Sequence, residues 1–435
     1  MTNGVISIVD DDPSVNQERR HWLGLSTAVM AAAGALSLIP PRLTAAVCGD
    51  AIRPFHVHFP EQALIDLRLR VLATRWPARR SRADRSRGAA LRELAQYWGK
   101  DYDWRAVEGK LNALPMFVTT IDGLDIQFIH VRSSHRNALP LIITHGWPGS
   151  ILQFLKLIGP LSDPTRHGGA AADAFDLVIP SVPGYGFSQP PADTAWKAER
   201  IGSAWHLLMK RLGYRHYVAQ GSDWGSIVTA RLARQAPEGL LGIHVHMPPI
   251  VPADLAEAIG AGAPPPAGLS RAETTAYQQL SGLFGRTAAH GVSMTSSQVI
   301  EDALSDSPAG LAAWMFDHFS QRADRDGDGR RLPTREEMLD DITLVWLTES
   351  AVCSAHQDWQ TDADHFNAID IPIPAAITVF PGDVFRAPRS WAERSCHNLI
   401  YFNEADQGGH FVASQEPALF SAELRAAFRS LRPSA

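Results

Sequence analysis

The sequence predicts an α/β protein with a mostly parallel sheet, a helical insertion between two halves of that sheet and a helical extension ahead of it. Three observations predict this. Beyond Val118, short β-rich runs alternate with turns and helical patterns, which implies parallel strands covered by helices on both faces. From about Met247 to Ile371 that rhythm breaks, in a segment rich in Pro and Gly at first and mainly helical afterwards. From Ile52 to about Ala113 the chain is instead rich in arginine and aromatic residues. The expected boundaries are 1–48 for an export-type leader or disordered stretch, 49–117 for the helical extension, 118–246 and 372–435 for the two parts of the core, and 247–371 for the insertion.

The elements follow in order. Arg19-Arg20-His21-Trp22-Leu23, followed by an apolar, Ala-rich run to Ile39 and then Pro40-Pro41, is similar to a twin-arginine export signal. That implies a periplasmic or extracellular protein, with cleavage near Thr44-Ala45-Ala46. Asp10-Asp11-Asp12 ahead of the arginines is atypical for such a signal, and a cytoplasmic location is the alternative. In the extension, Phe59-Pro60-Glu61 opens a helix whose Leu64, Leu67, Val71 and Leu72 share one face, with Arg68, Arg70 and Arg75 on the other. Ile126–Val131, Leu139–Thr144 and Phe175–Pro180 read as strands, Ser150–Ile158 as a helix, and Val218-Ala219-Gln220 as the entry to a tight turn. Ala376–Phe380 and Asn398–Phe402 read as the last two strands, with a helix between them.

Composition narrows the function. A chain of 435 residues with 40 basic and 46 acidic residues has no basic surface for nucleic acid, and the balance suits a small uncharged or apolar partner. Cys48, Cys353 and Cys396 lack metal or disulfide spacing, so no chemistry is expected of sulfur. Asp324-Arg325-Asp326-Gly327-Asp328-Gly329 starts like a calcium loop. Its twelfth position is Arg335, where a bidentate Glu is required, so it reads as a surface turn and no metal is expected.

The chemistry gathers at three places. Gln220-Gly221-Ser222-Asp223-Trp224-Gly225, between an apolar strand and a helix, has the form of a nucleophile elbow with Asp223 at its centre. A carboxylate there attacks saturated carbon and forms an alkyl ester, whereas a serine would attack an acyl group. Ser222 stands in the wrong place relative to the two glycines to be that nucleophile. His145-Gly146-Trp147-Pro148-Gly149-Ser150 follows a strand, so the backbone N–H groups of Trp147 and Trp224 are candidates for an oxyanion hole. Asp383, at a strand end in Phe380-Pro381-Gly382-Asp383, and His410, in Gly408-Gly409-His410-Phe411, complete the order nucleophile, acid, histidine of α/β-hydrolases. His410 would activate water and Asp383 would orient the imidazole.

These motifs, with Thr74-Arg75-Trp76-Pro77, Tyr102-Asp103-Trp104-Arg105 and Asp306-Ser307-Pro308-Ala309-Gly310-Leu311, resemble the microsomal-type epoxide hydrolases from about Ile52 to Leu431. The resemblance implies an α/β-hydrolase core under a helical cap. It also implies addition of water to an epoxide to give a vicinal diol, with no metal or organic cofactor. The family acid is often Glu, where this chain has Asp383. The family also uses two cap tyrosines to protonate the epoxide oxygen. At those places stand Ala289-His290 and Ala355-His356-Gln357-Asp358-Trp359, which makes His290 and Asp358 the candidate replacement acids. The same Asp, His and acid would serve hydrolytic dehalogenation, with the indoles of Trp147 and Trp224 as halide donors. A degenerate binding homologue is the third reading.

Overall fold

The computed structural model describes residues 51–77, 82–191, 196–293, 297–323, 332–351 and 368–432. The proposed export signal, the calcium-like loop and Asp358 lie outside the described residues, as does the side chain of His290.

The extension contributes one short strand and three helices: β1 (Arg53–Pro54), α1 (Glu61–Leu72), α2 (Arg82–Lys100) and α3 (Trp104–Asn112). Leu64, Leu67 and Val71 are the buried face of α1, as their spacing predicts, while Leu72 is half exposed. Asp103 caps α3, its side chain accepting the N–H of Arg105, which satisfies one of the four free donors at a helix start.

The sheet follows with β2 (Met116–Ile121), β3 (Leu124–Val131), β4 (Leu139–Thr144), β5 (Phe175–Pro180), α4 (Ala198–Arg211), β6 (Tyr217–Ser222), α5 (Trp224–Gln235) and β7 (Leu240–His246). After the insertion come β8 (Ile371–Val379), and later β9 (Cys396–Glu404). The described strands form one sheet in the order β1-β2-β3-β5-β4-β6-β7-β8-β9. The β1–β2, β2–β3 and β3–β5 pairings are antiparallel, and every pairing from β5 to β9 is parallel. The central strands are buried along nearly their whole length, the pattern expected of a sheet covered on both faces. The segment after β4 departs from the expected α-helix: Ile151–Leu157 is a 3₁₀ helix that becomes α-helical only over Ile158–Ser162. Ser150 caps it by accepting the N–H of Leu152, and Pro160 follows closely enough to remove a donor from any continuing ladder.

Between β7 and β8 run α6 (Ala253–Gly260), α7 (Arg271–Ser293), α8 (Ser297–Asp306), α9 (Pro308–Ala323) and α10 (Arg335–Leu347). Thr334 and Glu337 form a reciprocal capping box that starts α10. This helix is held on two sides. Trp98 Nε1 of α2 donates to Thr343 Oγ1 at 2.8 Å, and Tyr102, just beyond α2, donates its hydroxyl to Asp340 at 2.7 Å. On the core side, Ser150 Oγ donates to the buried Asp341 at 2.6 Å, and Lys156 bridges Glu337 to the carbonyl of Ser414.

Candidate active site

Strands β4, β6 and β8 end at one edge of the sheet, and each hands the chain to a loop that carries a predicted site residue. At the end of β6 the chain turns through Asp223 with φ 53° and ψ −122°, a conformation that non-glycine residues rarely adopt. The surroundings over-determine it. Ser226 fixes the Asp223 carbonyl, with its N–H at 3.0 Å and its hydroxyl at 2.6 Å. The turn is also packed too tightly for side chains beside it: a Cβ on Gly225 would collide with the carbonyl of Thr144, and one on Gly146 with the Cβ of Asp223. A Cβ on Gly221 would likewise strike the carbonyl of Gly225, so the contacts of Gly221 and Gly225 explain the glycine spacing read from the sequence. Asp223 itself is only 3% exposed and stands at the N-terminus of α5, whose first N–H groups favour negative charge.

The structure brings Asp223, His410 and Asp383 together. Trp147 N–H donates to Asp223 Oδ1 at 2.9 Å. His410 Nε2 lies 3.6 Å from the other oxygen, Oδ2, a separation too long for a strong hydrogen bond. On its far side His410 Nδ1 meets Asp383 Oδ1 at 2.9 Å, and the same oxygen accepts the N–H of Val384 at 2.7 Å. With Nδ1 protonated toward Asp383, Nε2 keeps a free lone pair on the Asp223 side. Burial alone would raise the Asp383 carboxyl, but the hydrogen bond and charge of His410, with His246 and the Val384 N–H, hold it below the ordinary carboxylate range.

The loop before Trp147 is rigid for a reason the motif did not reveal. His145 Nδ1 donates to the carbonyl of Gly146 at 3.1 Å and Nε2 accepts the N–H of Val182 at 3.0 Å, joining two strand-end loops. Both roles require a neutral ring, and burial pushes its pKa down to about 4. Trp147, Tyr185 and Trp224 bound a small cavity of about 10 Å³ beside the elbow. From the inserted segment, Trp314 of α9 reaches Trp147 with ring centroids 6.3 Å apart, so this wall of the site is aromatic. A larger groove of about 520 Å³, lined by Ile52, Phe117, His130, Arg132 and Arg211, contains none of the predicted site residues. Among the described residues, no group of three or more His, Cys, Asp or Glu could hold a metal ion, and no helix is long and apolar enough to cross a membrane.

Sequence reading overlooked one residue beside this site. His246 closes β7 in register with Ser222, fully buried, and its charge interacts with Asp383, His410 and Asp223. The available signal was the pair His244 and His246 two residues apart in an otherwise apolar strand.

The buried imidazoles predict a pH dependence of stability. Burial lowers His145 and His246 to about 4 and His244 to about 3. Between their ordinary value near 6.5 and those depressed values the unfolded chain binds protons that the folded chain excludes, so stability falls as pH drops through this window. Asp341, pushed up to about 7 by burial, opposes this, because below 7 the folded chain holds the extra proton. The net for these four groups is between one and two protons near pH 5.5, a slope on the order of 2 kcal/mol per pH unit. Denaturant midpoints measured from pH 4.5 to 7.5 should rise steadily up to about pH 6.5, and a flat profile would contradict buried neutral imidazoles.

An elbow at the end of a central strand, with a histidine and its carboxylate supplied by the ends of later strands, is the plan of an α/β-hydrolase. Residues 140–311 match the alpha/beta hydrolase fold family, and residues 52–154 match the family described as epoxide hydrolase N terminus. A Stigmatella aurantiaca relative with a provisional epoxide hydrolase name is 46% identical over 385 residues, covering 88% of this chain and 86% of the relative. Epoxide hydrolase 1 of Sus scrofa is 30% identical over 429 residues, covering 89% of this chain and 90% of that protein. The solved structure of Aspergillus niger epoxide hydrolase superposes with a TM-score of 0.73 at 29% identity, over 87% of this chain and 96% of that one. The chain belongs to the epoxide hydrolase family.

Proposed function

We propose that this enzyme opens an epoxide to a vicinal diol in two steps, with residues 247–371 as a cap over the reacting groups. Asp223 Oδ2 attacks one epoxide carbon, the carbon–oxygen bond breaks, and the freed oxygen takes a proton from an acid on the cap. His290 of α7 and Asp358 are the candidates the sequence offers for that acid. His410 then removes a proton from water, which attacks the ester carbonyl, while Asp383 steadies the imidazolium. Asp223 Oδ1 becomes the oxyanion against the backbone N–H groups of Trp147 and Trp224. The tetrahedral intermediate collapses, Oδ2 leaves in the diol with the proton returned by His410, one water oxygen stays in the regenerated carboxylate, and the remaining water proton passes through solvent to restore the cap acid. The cycle uses no cofactor.

The observation that carries this reading is the division of labour at Asp223. One oxygen is held by the Trp147 N–H, and the other lies 3.6 Å from the histidine base. That arrangement prepares the carboxylate first to attack and then to be attacked. The experiment is a single turnover in H₂¹⁸O with an aryl or alkyl epoxide. The first diol should contain no ¹⁸O, and the peptide containing Asp223 should gain one label. Label in the first diol would mean direct attack by water and would overturn the ester route.

Dehalogenation has one observation in its favour: the buried Trp147 Nε1 has no hydrogen-bond partner among the described residues. Halide release from haloalkanes at a rate above diol formation would establish it. For location, the twin-arginine stretch supports export, and N-terminal sequencing of secreted protein tests it.

A further inference from the structure

Asp383 uses its two oxygens unequally. Oδ1 takes both the Val384 N–H and His410 Nδ1, while Oδ2 is buried with no hydrogen-bond partner among the described residues. A buried carboxylate oxygen without a donor is costly, and so is a buried imidazole N–H without an acceptor. His246 comes close to that state: it is 1% exposed, its ring faces the backbone of His410, and neither ring nitrogen makes a hydrogen bond of good geometry among the described residues. Its ring stands edge-on between Phe380 and Phe420, with centroids 5.6 and 5.5 Å away. The titratable groups that face it are Asp383, His410, Asp223 and His244. Asp383 follows Phe380 by three residues and its charge interacts with His246, so the two groups lie near one another at the ends of β7 and β8.

The neighbouring His244 supplies the contrast. Its Nε2 bonds Thr378 Oγ1 at 3.0 Å, and Thr378 donates to Glu423, so one nitrogen of that imidazole already belongs to a network although Nδ1 has no partner among the described residues. Were His246 only a spacer between two phenyl rings, an apolar side chain would fill the place without burying two polar nitrogens. Burial keeps the ring neutral, with a pKa near 4, and a neutral imidazole has one N–H to give.

We infer that His246 is a positioning residue: by a small rotation its N–H bonds Asp383 Oδ2 and fixes the plane in which Asp383 holds His410. This rests on the two-step reading above. Only ester hydrolysis uses the base, so only that step should feel the loss.

The test compares wild type, His246→Phe and His246→Asn by steady-state kinetics and by rapid quench with intact mass. In H246F, kcat should fall about tenfold, the effect of one hydrogen bond to a charged group. KM should fall in step, so that kcat/KM stays within about twofold, and the ester form should accumulate during turnover. H246N keeps an N–H donor and should recover most of kcat. An unchanged kcat in folded H246F would overturn the inference, as would a fall in kcat/KM without ester accumulation, which marks general disruption. If H246F does not fold in a thermal melt, His246→Leu replaces it in the same comparison. If wild type itself never carries an ester on Asp223, the two-step reading falls together with this role.

Discussion

Replacing His410 with Gln should give a protein that reacts once and stops, its mass raised by one whole epoxide molecule. Attack by Asp223 needs only an ionised carboxylate in position, and that carboxylate is held by the Trp147 N–H and the start of α5, not by His410. Hydrolysis of the resulting ester does need the base, whose lone pair faces Asp223 while Asp383 holds its other nitrogen. Loss of a general base lowers turnover by about 10²- to 10⁴-fold, so H410Q should trap nearly all of the enzyme as ester. Intact mass after incubation with an epoxide panel measures this. Turnover within about tenfold of wild type would remove His410 from the role. An adduct formed from a haloalkane with loss of halide would favour the dehalogenase reading.

The complementary variant, Asp223→Ala, should show neither adduct nor turnover. Without the nucleophile no ester can form, and water in the same pocket meets an unactivated carbon. Removal of a nucleophile from a catalytic constellation lowers turnover on the order of 10⁴- to 10⁶-fold. The double variant with His410→Gln should then be no slower than Asp223→Ala alone, because residues acting in sequence on one intermediate do not contribute additively. A mass adduct in folded Asp223→Ala would place the nucleophile elsewhere. Ser222, the last residue of β6, would be the first alternative to check.

Much of this was readable before any coordinates. The elbow was legible because so tight a turn imposes steric demands that only certain residues meet: Gly221 must clear the carbonyl of Gly225, Gly225 must clear the carbonyl of Thr144, and Asp223 sits between them. The β-rich runs around Leu139 and Phe175 were legible because strands buried on both faces must be apolar throughout. Other features leave no such trace. The two-residue strand Arg53–Pro54, which pairs with Val118 and Phe117, is too short to show a period. The 3₁₀ character of Ile151–Leu157 is another, since its apolar spacing fits an α-helix equally well. His246 was missed because one polar residue in a buried strand usually finds a local partner, as His244 does with Thr378, and only the three-dimensional neighbourhood separates the two.

The double anchorage of α10 has a consequence for anyone who wishes to reshape specificity. A helix tied to the N-terminal stretch by Trp98 and Tyr102, and to the loops beside the reacting groups by Ser150 and Lys156, is a keystone more than a lid. Trimming the chain to begin after Ala113 would uncover the faces of Thr343 and Asp340 that Trp98 and Tyr102 cover, so a minimal enzyme cannot be made by deletion alone. Mutational libraries should spare α10 and vary Trp314 of α9, which faces Trp147, while keeping Asp317 and Phe319 of that helix, which meet Arg87 and Phe411.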